Sequence, residues 1–132
     1  MKTYTIGDSA TIEHVFQSQD VEVFAQLSGD NNPIHLDSDY AATTRFKSRI
    51  VHGMLVGSLF STIFGTVFPG EGAVYLGQSL KFTAPVFLGE KITATVTLIS
   101  LREDKPIGTF ETICRNESGT PVIKGEATLL LP

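Results

Sequence analysis

An aspartate and a histidine stand five residues apart at Asp30-Asn31-Asn32-Pro33-Ile34-His35. A carboxylate and an imidazole are the pair that general acid–base chemistry uses, one taking a proton while the other holds or returns one. Pro33 stiffens the segment and pushes Asn32, the residue before it, toward an extended conformation. A loop built this way can aim both side chains at a single water. The spacing alone leaves a second reading open, and favours it. Asp30 and Asn32 would then be turn and cap residues, with His35 on the surface, because Asp and Asn dominate turns.

A second feature lies at Arg49-Ile50-Val51-His52-Gly53-Met54, where a glycine opens an apolar stretch. The first N–H groups of a helix have no partner within it and carry its positive dipole end, so the Gly53 N–H could hold a developing oxyanion. Gly53, Gly57, Ser61 and Gly65 recur every four residues as a stripe of small side chains. Such a stripe fits either close helix–sheet packing or a groove for a slim ligand chain, and periodicity does not separate the two. Arg45, Lys47 and Arg49 form a local basic cluster just before the helix, readable as a solvated loop or as a site for phosphate groups. His14, His35 and His52, and the carboxylates of Asp37 and Asp39, match no metal spacing. Neither a metal nor another cofactor is expected.

These groups need elements to position them. Asp20 to Ser28 reads as a short helix with Asp20 as N-cap and Gly29 just past its end. A polar loop follows, then a helical turn near Ser38 to Thr43. A buried helix is expected over Gly53 to Phe68, stopped by Pro69-Gly70. Beyond Gly72 the apolar period changes to two. Val74, Leu76, Leu80 and Phe82 alternate in one strand, and Ile92, Ala94, Val96 and Leu98 in the next. Further strands are expected at Ile107 to Arg115 and Val122 to Leu131, with one near the start at Ala10 to Phe16. The layout is α+β, an antiparallel sheet wrapped around a long central helix.

Composition narrows the function classes. The chain of 132 residues is expected to be one domain, 1–132, and its 42% apolar content suffices for a real core. Ten basic residues against fourteen acidic give a net charge of −4 with no basic run, so nucleic acid is not an expected partner. Ile50 to Phe68 holds no Asp, Glu, Lys or Arg. It contains His52 and three glycines, however, and lacks aromatic-belt flanks, so it reads as a core helix and no membrane is expected. The single cysteine, Cys114, excludes an intrachain disulfide, and Met1-Lys2-Thr3-Tyr4 lacks the apolar core of a signal peptide. A reducing, cytoplasmic setting is expected. The charged fraction of 18%, below the roughly 25% of soluble domains, points to surface buried against a second subunit.

Phe24 to Ala41, with its Ser28-Gly29-Asp30-Asn31-Asn32-Pro33-Ile34-His35 core, resembles the hydratase-2 signature of the MaoC-like, hotdog-fold family. Val51-His52-Gly53-Met54, Tyr75-Leu76-Gly77-Gln78-Ser79-Leu80-Lys81-Phe82 and Leu101-Arg102-Glu103-Asp104-Lys105-Pro106 match as well. The resemblance spans nearly the whole chain and is closest to the single-domain (R)-specific enoyl-CoA hydratases that feed polyhydroxyalkanoate synthesis. It overturns the turn-and-cap reading of Asp30 and His35. It implies a hotdog fold, a homodimer with joined sheets, and reversible syn hydration of trans-2-enoyl-CoA to (R)-3-hydroxyacyl-CoA. Asp30 and His35 become the catalytic pair, Gly53 N–H the donor to the thioester oxygen, and Asn32 and Ser61 supports of the catalytic loop. The acyl-CoA substrate would run past Ser61 toward Phe64 and Leu129, with Arg45, Lys47 and Arg49 near its phosphates. Phe64 reads equally as a pocket wall or as plain core.

The nearest rival is dehydration of (3R)-hydroxyacyl groups on acyl carrier protein, the same chemistry on another carrier. Carrier proteins are acidic, and the net negative charge mildly disfavours them. A hotdog thioesterase fits less well, because the central helix carries no acidic nucleophile or base. A non-catalytic acyl-CoA-binding module would have no use for both Asp30 and His35.

Overall fold

A computed structural model describes residues 2–132. Strand β1 (Ser9–Val15) leads into α1 (Ser18–Ser28), two short helices α2 (Pro33–Leu36) and α3 (Ser38–Ala42), and the long α4 (Gly53–Thr66). Five strands follow: β2 (Val74–Gln78), β3 (Lys81–Phe82), β4 (Lys91–Leu101), β5 (Ile107–Arg115) and β6 (Pro121–Leu130). The strands form one antiparallel sheet in the order β1-β4-β5-β6-β2, with β3 also pairing β6. Helix α4 lies against the inner face of that sheet.

The period-two pattern accounts for the sheet. Ile92, Ala94, Val96 and Leu98 of β4 are fully buried, while the threonines between them are not. Phe110 and Cys114 of β5, and Ala127 and Leu129 of β6, extend that inner face. Val56, Leu59, Phe60, Ile63 and Phe64 of α4 close the core from the other side. Burying a side chain of this size contributes roughly 1.5–3 kcal/mol.

Four local expectations are corrected. Helix α1 begins at Ser18, one turn's fraction earlier than Asp20, with Gln17 at the N-cap. Asp20 sits inside the first turn, where its carboxylate accepts the Gln17 backbone N–H at 2.9 Å and is held below the usual carboxylate range by that bond. The segment after Pro33 is a helical turn rather than loop, because Asn32 caps it through its side-chain oxygen on the Ile34 N–H, at 3.3 Å. Helix α4 ends at Thr66 rather than Phe68. The single strand read from Val74 to Phe82 is two, β2 and β3. The register of β2 against β6 slips between Tyr75 and Gly77, so Leu76 is a bulge residue and half exposed.

Candidate active site

The site forms where the loop after α1 meets the first residue of α4. Gly29 ends α1 in the left-handed conformation, its N–H donating to Ala25. The loop then holds itself through short polar bonds. Ser28 Oγ accepts the Asp30 N–H at 3.1 Å, and the Asp30 carboxylate accepts the Asn32 N–H at 3.3 Å. These bonds and the Asn32 cap leave the Asp30 side chain exposed at the edge of a cavity, with His35 buried beside it.

His52, buried, and Arg49, partly buried, tie this loop to the segment that enters α4. The His52 Nε2–H donates to the backbone carbonyl of Asp30 at 3.0 Å, and the His52 ring stacks on His35 with centroids 3.8 Å apart and planes at 27°. The Phe24 ring meets the His52 ring edge-on at 4.9 Å. Arg49 turns inward: its Nε donates to the His35 carbonyl at 2.7 Å and its Nη1 to Ser18 Oγ at 3.1 Å. A carbonyl only accepts, so each of these bonds fixes which atom carries the proton.

The same logic fixes His35. Its Nδ1 lies 2.8 Å from the Ile50 carbonyl and must be protonated, which leaves Nε2 as the lone pair. Burial pushes the His35 pKa below its ordinary 6.5, and the adjacent His52 ring pushes the same way. The Ile50 carbonyl and the Asp30 carboxylate act against them without reversing the result. The resting ring is neutral at pH 7 and can accept a proton.

Asp30, His35 and Gly53 border one cavity of about 450 Å³, whose deeper walls include Val56, Val86 and Val122. Gly53 is the first residue of α4, so its N–H has no partner within the helix. A Cβ there would fall 2.6 Å from the Phe82 ring. Only glycine leaves room there for the Phe82 ring, which lines the same cavity. Arg45 stands at the rim, its guanidinium 5.0 Å over the Phe46 ring. The arrangement offers one carboxylate, one imidazole lone pair and one backbone donor around an apolar space, the parts needed to activate a water and stabilise an oxyanion.

The other expected residues are placed as follows. Lys47 is exposed in a left-handed turn, and Arg49 is committed to His35 and Ser18. Ser61 lies exposed two turns along α4, in a groove between that helix and β2. Phe64 is core, its ring edge-on to Tyr75 at 5.3 Å and to Phe110 at 5.0 Å, and Leu129 is fully buried on the inner face of β6. Sequence reasoning gave no site role to His52 or Phe82. Their signals were a histidine directly before the helix glycine and an aromatic closing the Tyr75–Phe82 motif.

A metal does not fit here. Asp30, His35 and His52 bring potential ligand atoms within 4.8 Å of one another. The two rings are stacked nearly parallel, however, so their in-plane lone pairs do not converge on an ion at the roughly 2 Å a metal–nitrogen bond needs.

The fold and this pair of motifs define the class: the chain belongs to the MaoC-like domain family, whose model matches residues 3–115. It is 49% identical over 127 residues to the (R)-specific enoyl-CoA hydratase of Aeromonas caviae, covering 96% of this chain and 95% of that one. The solved structure of an (R)-hydratase from A. caviae involved in PHA biosynthesis superposes with a TM-score of 0.98 at 47% identity, over the whole of both chains. A mitochondrial 3-hydroxyacyl-[acyl-carrier-protein] dehydratase of Arabidopsis thaliana is 45% identical over 130 residues, covering 96% of this chain and 77% of that protein. The fold is the hotdog fold.

Proposed function

We propose that this protein is an (R)-specific enoyl-CoA hydratase, adding water to trans-2-enoyl-CoA and, in reverse, dehydrating (R)-3-hydroxyacyl-CoA. The observation that carries the reading is the meeting of Asp30, His35 and the Gly53 N–H at one apolar cavity. One water forms hydrogen bonds to the Asp30 carboxylate and to His35 Nε2. As its oxygen attacks C3, one of the pair takes one proton from it, the other hydrogen stays on the new C3 hydroxyl, and the abstracted proton is returned to C2 on the same face, while Gly53 N–H stabilises the enolate oxygen formed in between. Each acid–base partner is worth about 10²–10⁴ in rate and the oxyanion donor roughly 3 kcal/mol. The chain works as one domain over residues 1–132.

The test is loss of the enoyl absorbance on adding crotonyl-CoA, with chiral analysis of the product. Formation of (R)-3-hydroxybutyryl-CoA supports the reading, and no turnover sinks it. The Arabidopsis relative favours one alternative, dehydration of acyl-carrier-protein thioesters. Running the same assay with both carriers ranks them by kcat/KM.

The active form is a homodimer in the cytoplasm, and its product supplies polyhydroxyalkanoate synthesis. Strand β2 is an edge of the sheet, and Val74 and Leu76 on it are half exposed, as is Val23 on α1, with Leu27 almost fully so. A second copy covers such an edge and such an apolar face. Sedimentation at micromolar concentration is expected to give twice the chain mass of 14.3 kDa. A single species at the chain mass rules the dimer out.

A further inference from the structure

Asp30, His35 and the Gly53 N–H come from different segments, so their spacing depends on what joins those segments. The bonds Asp30 makes within its own loop are local. Its N–H donates to Ser28 Oγ and its carboxylate accepts the Asn32 N–H, each two residues away. Such bonds fix the shape of the loop but travel with it, and they do not set its place against α4. Among the described residues, one hydrogen bond ties Asp30 beyond the loop. It comes from His52, 22 residues on, whose Nε2–H donates to the Asp30 backbone carbonyl at 3.0 Å.

His52 occupies the N-cap of α4, directly before Gly53. A residue there ordinarily turns a side-chain oxygen onto the first N–H groups of its own helix. His52 makes no such bond. Its ring turns back to the loop instead, stacked on His35 and edge-on to Phe24, and is only 2% exposed. The Nδ1 atom is buried with no hydrogen-bond partner, an arrangement that costs stability. The one hydrogen bond of this ring therefore goes to Asp30. The segment that carries the ring is itself anchored. The Val51 N–H donates to the Val86 carbonyl at 2.7 Å, the Ile50 N–H to the Ile34 carbonyl at 3.2 Å, and Ile50 bridges to Phe87.

We infer that His52 is a positioning residue: through its Nε2–H on the Asp30 carbonyl it sets the distance of the Asp30 carboxylate from His35 and from the Gly53 N–H. The inference rests on the hydratase reading, in which those three groups work on one water and one thioester. His52 acts through Asp30, and its buried ring has almost no surface to offer a substrate. It lies against the face of His35 and is bonded in sequence to the oxyanion donor, so one side chain indexes all three groups. A reacting group misplaced by about 1 Å loses about 10²-fold in rate.

The experiment compares wild type with three variants. His52→Gln keeps an N–H near the place of Nε2, His52→Met has similar bulk and no donor, and His52→Phe keeps a ring without the donor. Three quantities are measured: kcat on crotonyl-CoA, calorimetric affinity for butyryl-CoA, which cannot react, and the carbonyl carbon resonance of Asp30 without ligand. His52→Met and His52→Phe are expected to lower kcat by about 10- to 100-fold, with affinity within about threefold of wild type and the Asp30 resonance displaced. His52→Gln should recover most of the rate and return the resonance toward its wild-type position. Either donor-less variant suffices if the other does not fold. Wild-type kcat in folded His52→Met or His52→Phe overturns the inference. So does a His52→Gln rate no better than that of His52→Met, or a loss of affinity as large as the loss of kcat. A wild-type protein that does not hydrate crotonyl-CoA sinks the hydratase reading instead. The Asp30 resonance then decides the positioning without substrate: displacement in the donor-less variants alone upholds it, and no displacement in any variant ends it.

Discussion

At the N-terminal end of α4 the groups that meet are His52, Asp30, His35 and Arg49, joined by side-chain bonds to backbone carbonyls across stretches of up to 22 residues. Along the rest of the same helix, Phe60, Ile63 and Phe64 meet the inner sheet, with the Phe64 ring against Phe110 and Tyr75, and just past the helix end Phe68 packs on Phe110 as well. One end is held by direction, the other by volume. Hydrogen bonds orient a carboxylate and an imidazole to within a few tenths of an ångström but contribute about 1 kcal/mol each to stability. Close packing contributes several times more and orients nothing that reacts. Substitutions at the two ends should therefore separate rate from stability.

The largest expected effect is at the polar end. Asp30→Asn keeps shape and hydrogen bonding and removes the charge, and His35→Ala removes its partner. Each should lower kcat by about 10²–10⁴ with a melting temperature close to wild type. The double variant should be scarcely worse than either single, because the two groups act on one water. Near-native turnover by Asp30→Asn would break the comparison at its root.

At the packed end, Phe60→Ala should cost about 3–5 kcal/mol of stability in denaturant unfolding, the usual range for a buried phenylalanine. The fraction that remains folded should turn over crotonyl-CoA at close to the wild-type kcat. A loss of kcat as large as that of Asp30→Asn, in folded protein, would mean the two ends are not separable.

The same division decides what was legible in the sequence. The inner face of β4 was readable because Ile92, Ala94, Val96 and Leu98 repeat every two residues, and burial follows that repeat directly. Asp30, His35 and Gly53 stood out by residue type, but the spacing of Asp30 and His35 alone favoured turn and cap roles, and it was the resemblance to the family's motifs that pointed to a site. The bulge at Leu76 was not. Val74, Leu76, Leu80 and Phe82 alternate well enough to suggest one strand, and an extra backbone residue leaves no mark on that alternation. Arg49 looked like one of three free cations because nothing local says that it reaches back to His35 and Ser18. His52 reaches Asp30 across the chain in the same way. Asp20 looked like a cap and proved to be the residue that bonds back to the cap. What periodicity and local type encode could be read, and long-range side-chain-to-backbone bonds could not.

The smallest effect expected is a pH dependence, and it sharpens the polar end further. His35 must be neutral to accept from water, since Nδ1–H is already given to the Ile50 carbonyl and a second proton would occupy Nε2. The groups facing the ring are His52, stacked on it, and the Asp30 carboxylate, with the Arg49 guanidinium on its own carbonyl. Burial comes first among the causes and lowers its pKa below the ordinary 6.5. The acid limb of kcat/KM should therefore lie below pH 6.5 and fall about tenfold per pH unit once past the lowered pKa, while activity at neutral pH stays flat. Stability carries the same sign. The unfolded chain binds this proton more readily than the folded one, so the contribution is complete above about pH 6.5 and declines as pH falls below it. Asp30→Asn removes a charge that favours the protonated ring, and the titration of His35 should move further toward acid. Following the ring proton resonance of His35 by NMR against pH, in wild type and in Asp30→Asn, reads this without relying on turnover. A midpoint above 6.5 in the wild type would mean that the carboxylate rather than burial governs the ring, and the assignment of His35 as a neutral acceptor would fall with it; a shift toward alkali in the variant would mean that Asp30 does not favour the protonated ring.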